Sequence, residues 1–245
     1  MSEGASPKEF LRLLYRLREK EAARSAAYPE TSRLTADRHP EELAALRRWQ
    51  SDRLRKTYAD FLTDPNYRSA CEFFLDELYA PKDFSQRDRD TERLYDILSR
   101  YLPETALSLL LGAITLNQLT NQLDQDLLDA LIEIQAQFDP IPVDEYAEAY
   151  RKCDNYQDRT YQIELLVSLL RQAAAGARSR ITQFSLKLAK TPAYRLGWQD
   201  LYRFLEDGVS ACKPMPDVDR FVGSIRDREL SILERIYAND PHPFA

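Results

Sequence analysis

Apolar residues recur along this chain at spacings of three and four, and proline rather than glycine interrupts the pattern. The first such stretch is 8–26, with Phe10, Leu13, Leu14 and Leu17 on one face. Residues 28–40 hold two prolines among polar side chains and read as a linker. A second helix is predicted over 41–62, where Leu43, Leu46, Trp49, Leu54, Tyr58, Phe61 and Leu62 make an amphipathic stripe. Pro65 stops it, because the residue before a proline is pushed out of the helical region. The third helix, 66–79, carries Tyr67, Ala70, Cys71, Phe74 and Leu78 on one face and Arg68, Glu72 and Asp76 on another. Phe73 and Leu75 widen its apolar face, so it is expected to touch neighbours on two sides.

A fourth helix is predicted over 85–101, with Leu94, Leu98 and Tyr101 inward. Pro103 suits the first turn of a fifth, 103–138, the most apolar element and the one expected at the centre. Ser108 and Gly112, four apart on that helix, are expected to admit a close neighbour. Beyond the "DPIP" stretch, helices are predicted over 143–175, 177–190, 192–212 and 216–238. No run alternates with period two. The pattern therefore predicts an all-α fold, an irregular bundle of eight or nine helices. Its expected organisation is an amino-terminal helix and linker (1–40), a helical core (41–139) and a carboxy-terminal part packed on that core (140–245), together one continuous domain.

Composition narrows the function classes. The 245 residues are 44% apolar and 30% charged, with a formal net charge of −6. That balance argues against a dedicated nucleic-acid binder. Residues 1–60 carry 13 Lys and Arg against 10 Asp and Glu, whereas 61–245 carry 21 against 30. The basic amino-terminal part is expected to face the acidic remainder or an acidic partner. Cys71, Cys153 and Cys212 are far apart and odd in number, which fits reduced cytosolic thiols rather than disulfides. The start has no apolar signal core, and the longest apolar run, 106–116, is about half of a membrane span. A cytoplasmic protein with no membrane contact is expected.

Little in the chain points to catalysis. The two histidines, His39 and His242, each adjoin a proline, and no pair of them has ligand spacing, so no metal is expected. There is no nucleophile elbow, no P-loop and no glycine-rich dinucleotide fingerprint, so no cofactor is expected. Asn117, Asn121 and Asp124 fall at i, i+4 and i+7 on a central helix, opposite the stripe of Leu116, Leu119, Leu123, Leu127 and Leu131. They mark either a polar pocket or a hydrogen-bonded network that fixes packing. Arg47, Arg48, Arg53, Arg55 and Lys56 surround Trp49 and form a basic patch. Trp49 belongs to the apolar stripe, so the cations are expected on the solvated face and nucleic acid is not the expected partner.

The corner at residues 79–88 has a structural reading for most of its side chains. Pro81 ends the preceding helix, and Asp83 and Ser85 suit caps for the next, with Asp88 closing an S-x-x-D pattern. Arg87 and the Tyr79 hydroxyl are left over, Arg87 either pairing with Asp83, Asp76 or Glu77 or binding an anion. The stretch "FFLDELYAPKDFSQRD" (73–88) resembles the hallmark of the bacterial FFLEELY-motif proteins, with Asp76 where the family name has Glu and Ala80 where glycine is expected. The resemblance extends through "SDRLRKTYADFL", "LTNQLDQDL" and "LGWQDLYRFLEDGVSACKPMPDVDRFVGSIRDRELSILERIY", covering about 46–237. It implies a bacterial cytoplasmic protein and brings no catalytic residue with it. The sequence thus predicts a non-enzymatic module for protein interaction or self-association. The alternative is a small-molecule-binding or enzymatic domain with a pocket near 79–88 and the 117–124 face.

Overall fold

The structure, a computed structural model, describes residues 38–78, 104–195 and 199–245. The predicted helices at 8–26 and 85–101 lie outside the described residues, as do Tyr79, Asp83, Arg87 and Asp88. Among the described residues the chain is all-α, with nine α-helices and no strand. They are α1 (Pro40–Thr57), α2 (Ala59–Thr63), α3 (Arg68–Phe73), α4 (Glu104–Glu133), α5 (Val143–Lys152), α6 (Tyr156–Arg178), α7 (Arg180–Arg195), α8 (Gln199–Cys212) and α9 (Val218–Tyr237). No helix among the described residues is long and apolar enough to cross a membrane.

Local chemistry sets most of these ends. Pro40 occupies the first turn of α1, where its missing N–H is harmless; Glu41 and Glu42 follow it, and Arg55 and Lys56 sit in the last turn, charges that match the helix dipole. Asp217 caps α9 by accepting from the Arg220 N–H at 2.9 Å. The helix expected over 103–138 ends at Glu133, and three other boundaries also differ from those the periodicity predicts. The helix expected over 41–62 breaks at Tyr58, where α1 ends and α2 begins. The helix expected over 143–175 breaks at 153–155, where Asp154 takes a positive φ of 49°. Apolar periodicity runs through both breaks, because a face on either side of each is buried: α5 gives Tyr146 and Ala149 to the second cluster while α6 gives Ile163 and Leu166 to the main core. The third difference is Pro192, which lies in the last turn of α7 rather than opening the next helix.

The packing order follows from pairs of contacts. Gly112 of α4 meets Leu169 of α6, and Thr120 meets Gln162, so α4 and α6 run antiparallel. Glu164 pairs with Arg226 and Arg171 with Asp219, so α6 and α9 are antiparallel as well. The amino-terminal half of α4 feeds the main apolar core, which also takes Phe73, Phe74, Leu170, Phe204 and Phe221. Its carboxy-terminal half feeds a second cluster with Leu46, Ile141 and Tyr146. Trp49 joins that cluster, stacking on Tyr146 at 4.0 Å and donating its indole N–H to the Ile141 carbonyl at 2.9 Å.

After α3 the backbone widens into one π turn, Phe74–Leu78. Three consecutive side chains, Phe73, Phe74 and Leu75, are consequently all buried. Phe74 meets Tyr58 edge-on at 5.5 Å, while Phe73 lies against Phe204 and Gly208 of α8. Helix α3 with its π turn therefore touches neighbours on two sides, as the widened face predicts. The expected small pair on α4 is half realised: Gly112 is buried against Leu169, but Ser108 is exposed.

A Cβ at Gly208 would fall 2.8 Å from the Phe73 ring, whereas one at Gly223 would meet nothing within 4 Å. Gly208→Ala should destabilise the protein by about 1–2 kcal/mol, overpacking outweighing a helix-propensity gain of about 1 kcal/mol. Gly223→Ala should stabilise it by about 0.5–1 kcal/mol. Urea denaturation midpoints of the two variants test the opposite signs.

Candidate functional site

Polar side chains from four helices meet inside the bundle. On α4, Asn121 donates its Nδ2 to Asn117 Oδ1 at 3.0 Å and accepts from Arg47 Nη2 of α1 at 3.1 Å. Arg47 Nε reaches Asp124 Oδ2 at 3.4 Å, and Gln50 Nε2 donates to Asp124 Oδ1 at 3.2 Å. Arg159 of α6 donates its Nη2 to the Leu123 carbonyl at 3.0 Å and lies 4.5 Å above the Tyr150 ring. Both Asp124 and Arg159 are 2% exposed. Burial pushes the Asp124 carboxyl up from its ordinary range, and the Arg159 and Arg47 charges pull it back. The helical spacing of Asn117, Asn121 and Asp124 thus places them in one hydrogen-bonded chain.

A second node lies along the same seam. Arg53 Nη1 donates to both carboxylate oxygens of Glu229 on α9, at 2.6 and 2.8 Å. The Tyr58 hydroxyl donates to Glu229 Oε1 at 2.8 Å. Burial is the main reason that the Tyr58 phenol is held well above its ordinary range, so it remains a donor. Next to Glu229, Arg228 grips Asp60 of α2 with two bonds, at 2.8 and 2.7 Å, and also donates to the Thr57 carbonyl at 2.7 Å. Helix α9 therefore fastens the α1–α2 junction at adjacent positions.

Between the nodes is a cavity of about 30 Å³, lined among others by Thr120, Tyr150, Arg159, Gln162, Glu229 and Phe244. It has room for one or two waters. Phe244 packs edge-on against Trp49 at 5.5 Å, with the Arg53 guanidinium 6.0 Å from its ring. Gln162 Nε2 donates to Thr120 Oγ1 at 2.8 Å.

The five cations of the expected basic patch do not share one solvated face. Arg47 and Arg53 turn inward to Asp124 and Glu229, the Arg53 side chain being only 11% exposed. Arg55 pairs on the surface with Asp76 of the π turn, and Arg48 and Lys56 are exposed. The reason is register: Arg47, Gln50 and Arg53 are three apart, so they follow one side of α1 down into the α4 and α9 contacts. Arg159 and Glu229 carry the network, yet neither sits in a motif that marks it; only their place opposite α1 and α4 does. Burial also raises the thiols of Cys71 to about 12, and of Cys153 and Cys212 to about 11, so they stay protonated and weakly nucleophilic at neutral pH. No cluster of side chains with metal-ligand geometry occurs among the described residues.

The outer surface carries a contrasting feature. On α7, Ile181, Phe184 and Leu188 are 74%, 63% and 61% exposed and fall at i, i+3 and i+7. Leu186 and Ala189 on the other side of the same helix are buried. The spacing was legible in the sequence, but exposure was not.

Residues 31–243 match the family model described as a domain of unknown function, DUF8198, and the chain belongs to that family. No curated protein and no solved structure matches it.

Two outcomes follow from the interior pairs. Glu229→Leu leaves Arg53 and Tyr58 without their acceptor and should cost about 3–5 kcal/mol. Arg53→Met combined with Glu229→Leu should recover most of that loss, a coupling that urea midpoints of the single and double variants measure. At the surface, the Arg228 hydrogen bond holds the Asp60 carboxyl below its ordinary 3.8. A depressed folded pKa adds stability above the unfolded value, and that stability is lost as pH falls through the folded one. Asp60→Asn should therefore lower stability at pH 7 by about 0.5–1 kcal/mol, after solvent screening. The difference from the unsubstituted protein should close below about pH 4, which melting curves across pH will read.

Proposed function

We propose that this member of a family with no assigned activity is a non-enzymatic protein-interaction module that docks a partner through α7. The observation that carries this reading is the row of Ile181, Phe184 and Leu188, three large apolar side chains facing solvent on one helix face. Single exposed apolar residues are ordinary, but a contiguous row at helical spacing is a set of anchors for a second helix. The interior supports the same view. Its carboxylates are engaged by arginines, its thiols are protonated, and its cavity of about 30 Å³ is far below the size of a metabolite pocket. In this reading Asn117, Asn121 and Asp124 fix packing, Arg47, Arg53 and Arg55 are structural cations, and Arg48 and Lys56 are solvated.

The same reading takes the chain as one continuous domain, because the main apolar core joins side chains from Leu54 to Leu233. It takes the likeness of residues 73–88 to the FFLEELY hallmark as a sign of a bacterial, cytoplasmic protein. Phe73 and Phe74 of that hallmark then serve to seat α3 between α8 and Tyr58.

A photo-cross-linking amino acid at position 184 of the full chain, expressed in its host, tests the module. The expected product is an intermolecular adduct mapped to position 184, with none when the same group stands at exposed position 48. Cross-links from 184 only to residues of its own chain overturn the reading.

A further inference from the structure

Resting on that interaction reading, we infer that α7 docks an acidic amphipathic helix of a different protein. The charge of α7 carries the argument. Its 16 residues, RITQFSLKLAKTPAYR, include Arg180, Lys187, Lys190 and Arg195 and no Asp or Glu, in a chain of net charge −6. Arg180, Lys187, Lys190 and Arg195 are exposed, and none forms an ion pair with another described residue. Lys190 only lies 5.7 Å from the Tyr202 ring.

At about 100° per residue, Arg180 and Lys187 fall on one flank of the Ile181, Phe184 and Leu188 row, and Arg195 continues the row about two turns beyond Leu188. The other flank descends through Ser185 to the buried edge at Ala189. The surface is therefore a narrow apolar seam with positive charge along one side. A helix with apolar residues at i, i+3 and i+7 and carboxylates beside them matches it in shape and sign.

Other occupants fit less well. A second copy paired through α7 about a two-fold axis would bring two such helices together, with cations on both and a carboxylate on neither. Residues 1–37 of the chain itself hold seven Lys and Arg against six Asp and Glu, so they offer no acidic surplus. An anionic bilayer would meet more than α7. Residues 61–245 carry 21 cations against 30 acids, and a planar negative surface repels that excess, whereas a single helix touches α7 alone.

The test uses the full chain and three probes by fluorescence anisotropy. They are a labelled helical peptide with a leucine seam flanked by glutamates, its lysine-flanked counterpart, and phosphatidylcholine vesicles containing phosphatidylserine. The glutamate peptide should bind saturably and about tenfold more tightly than the lysine peptide, more weakly as salt rises. Arg180→Glu with Lys187→Glu should weaken it about tenfold, and Phe184→Ser likewise, while Lys213→Glu should leave it unchanged. All four positions are exposed, and matching melting curves will show that the variants remain folded. Equal binding of the two peptides, binding of neither, stronger association with the vesicles, or cross-links from 184 to a second copy would overturn the acidic-helix inference. An intermolecular adduct at 184 alongside any of these results leaves the interaction module standing, so the two failures are separable.

Discussion

Two arginine side chains, Arg53 and Arg159, project into the interior of a helical bundle, and the bundle is arranged to meet them. Withdrawing such an ion from water costs several kcal/mol unless charge and hydrogen bonds are supplied inside. Arg53 receives Glu229 from α9, and Arg159 receives the Leu123 carbonyl, the Tyr150 ring face and the field of Asp124. Each of these partners lies on a different helix from the arginine that it serves. Sliding α1, α4, α6 or α9 by one turn, about 5.4 Å, would separate at least one charge from its counterpart. The apolar core makes the helices associate; the buried charges fix their register.

Around that seam the close contacts are made by shape. Gly112 lets α4 approach α6 at Leu169, and Gly208 lets α8 receive the Phe73 ring. The π turn after α3 is what allows Phe73 and Phe74 to face different neighbours from adjacent positions. Helix α9 then ties the carboxy-terminal part back to the beginning of the described chain, with Arg228 on Asp60 and the Thr57 carbonyl and Glu229 on Arg53 and Tyr58. The Trp49 indole reaches from α1 to the Ile141 carbonyl in the same way.

The inside and outside of the protein thus have opposite characters. Inside, nearly every charge has a partner, and phenols and thiols are held in their neutral forms by burial. Such an interior holds its helices in one arrangement. Outside, α7 leaves apolar and cationic side chains facing water with little to hold them.

Much of the fold was legible because apolar spacing near 3.6 reports a buried helix face directly, and proline marks where such a face stops. The all-α class, a long apolar helix expected over 103–138 and found as α4 over Glu104–Glu133, and the two-sided burial of Phe73 and Phe74 followed from that alone. The polar face of Asn117, Asn121 and Asp124 was likewise visible as a row at i, i+4 and i+7. The breaks at Tyr58 and at 153–155 were not, since a stripe buried on both sides of a break keeps its period. The destination of Arg47 and Arg53 was also hidden. A cation on the edge of an amphipathic stripe reads as solvated until a carboxylate from a distant segment is known to lie opposite. Asp124 is 77 positions from Arg47, and Glu229 is 176 from Arg53. Exposure of Ile181, Phe184 and Leu188 has the same origin. The sequence by itself determined which faces are apolar, because that depends only on local spacing. Only the tertiary structure decided which of them is covered and which charges are paired, because both depend on what the rest of the chain brings alongside.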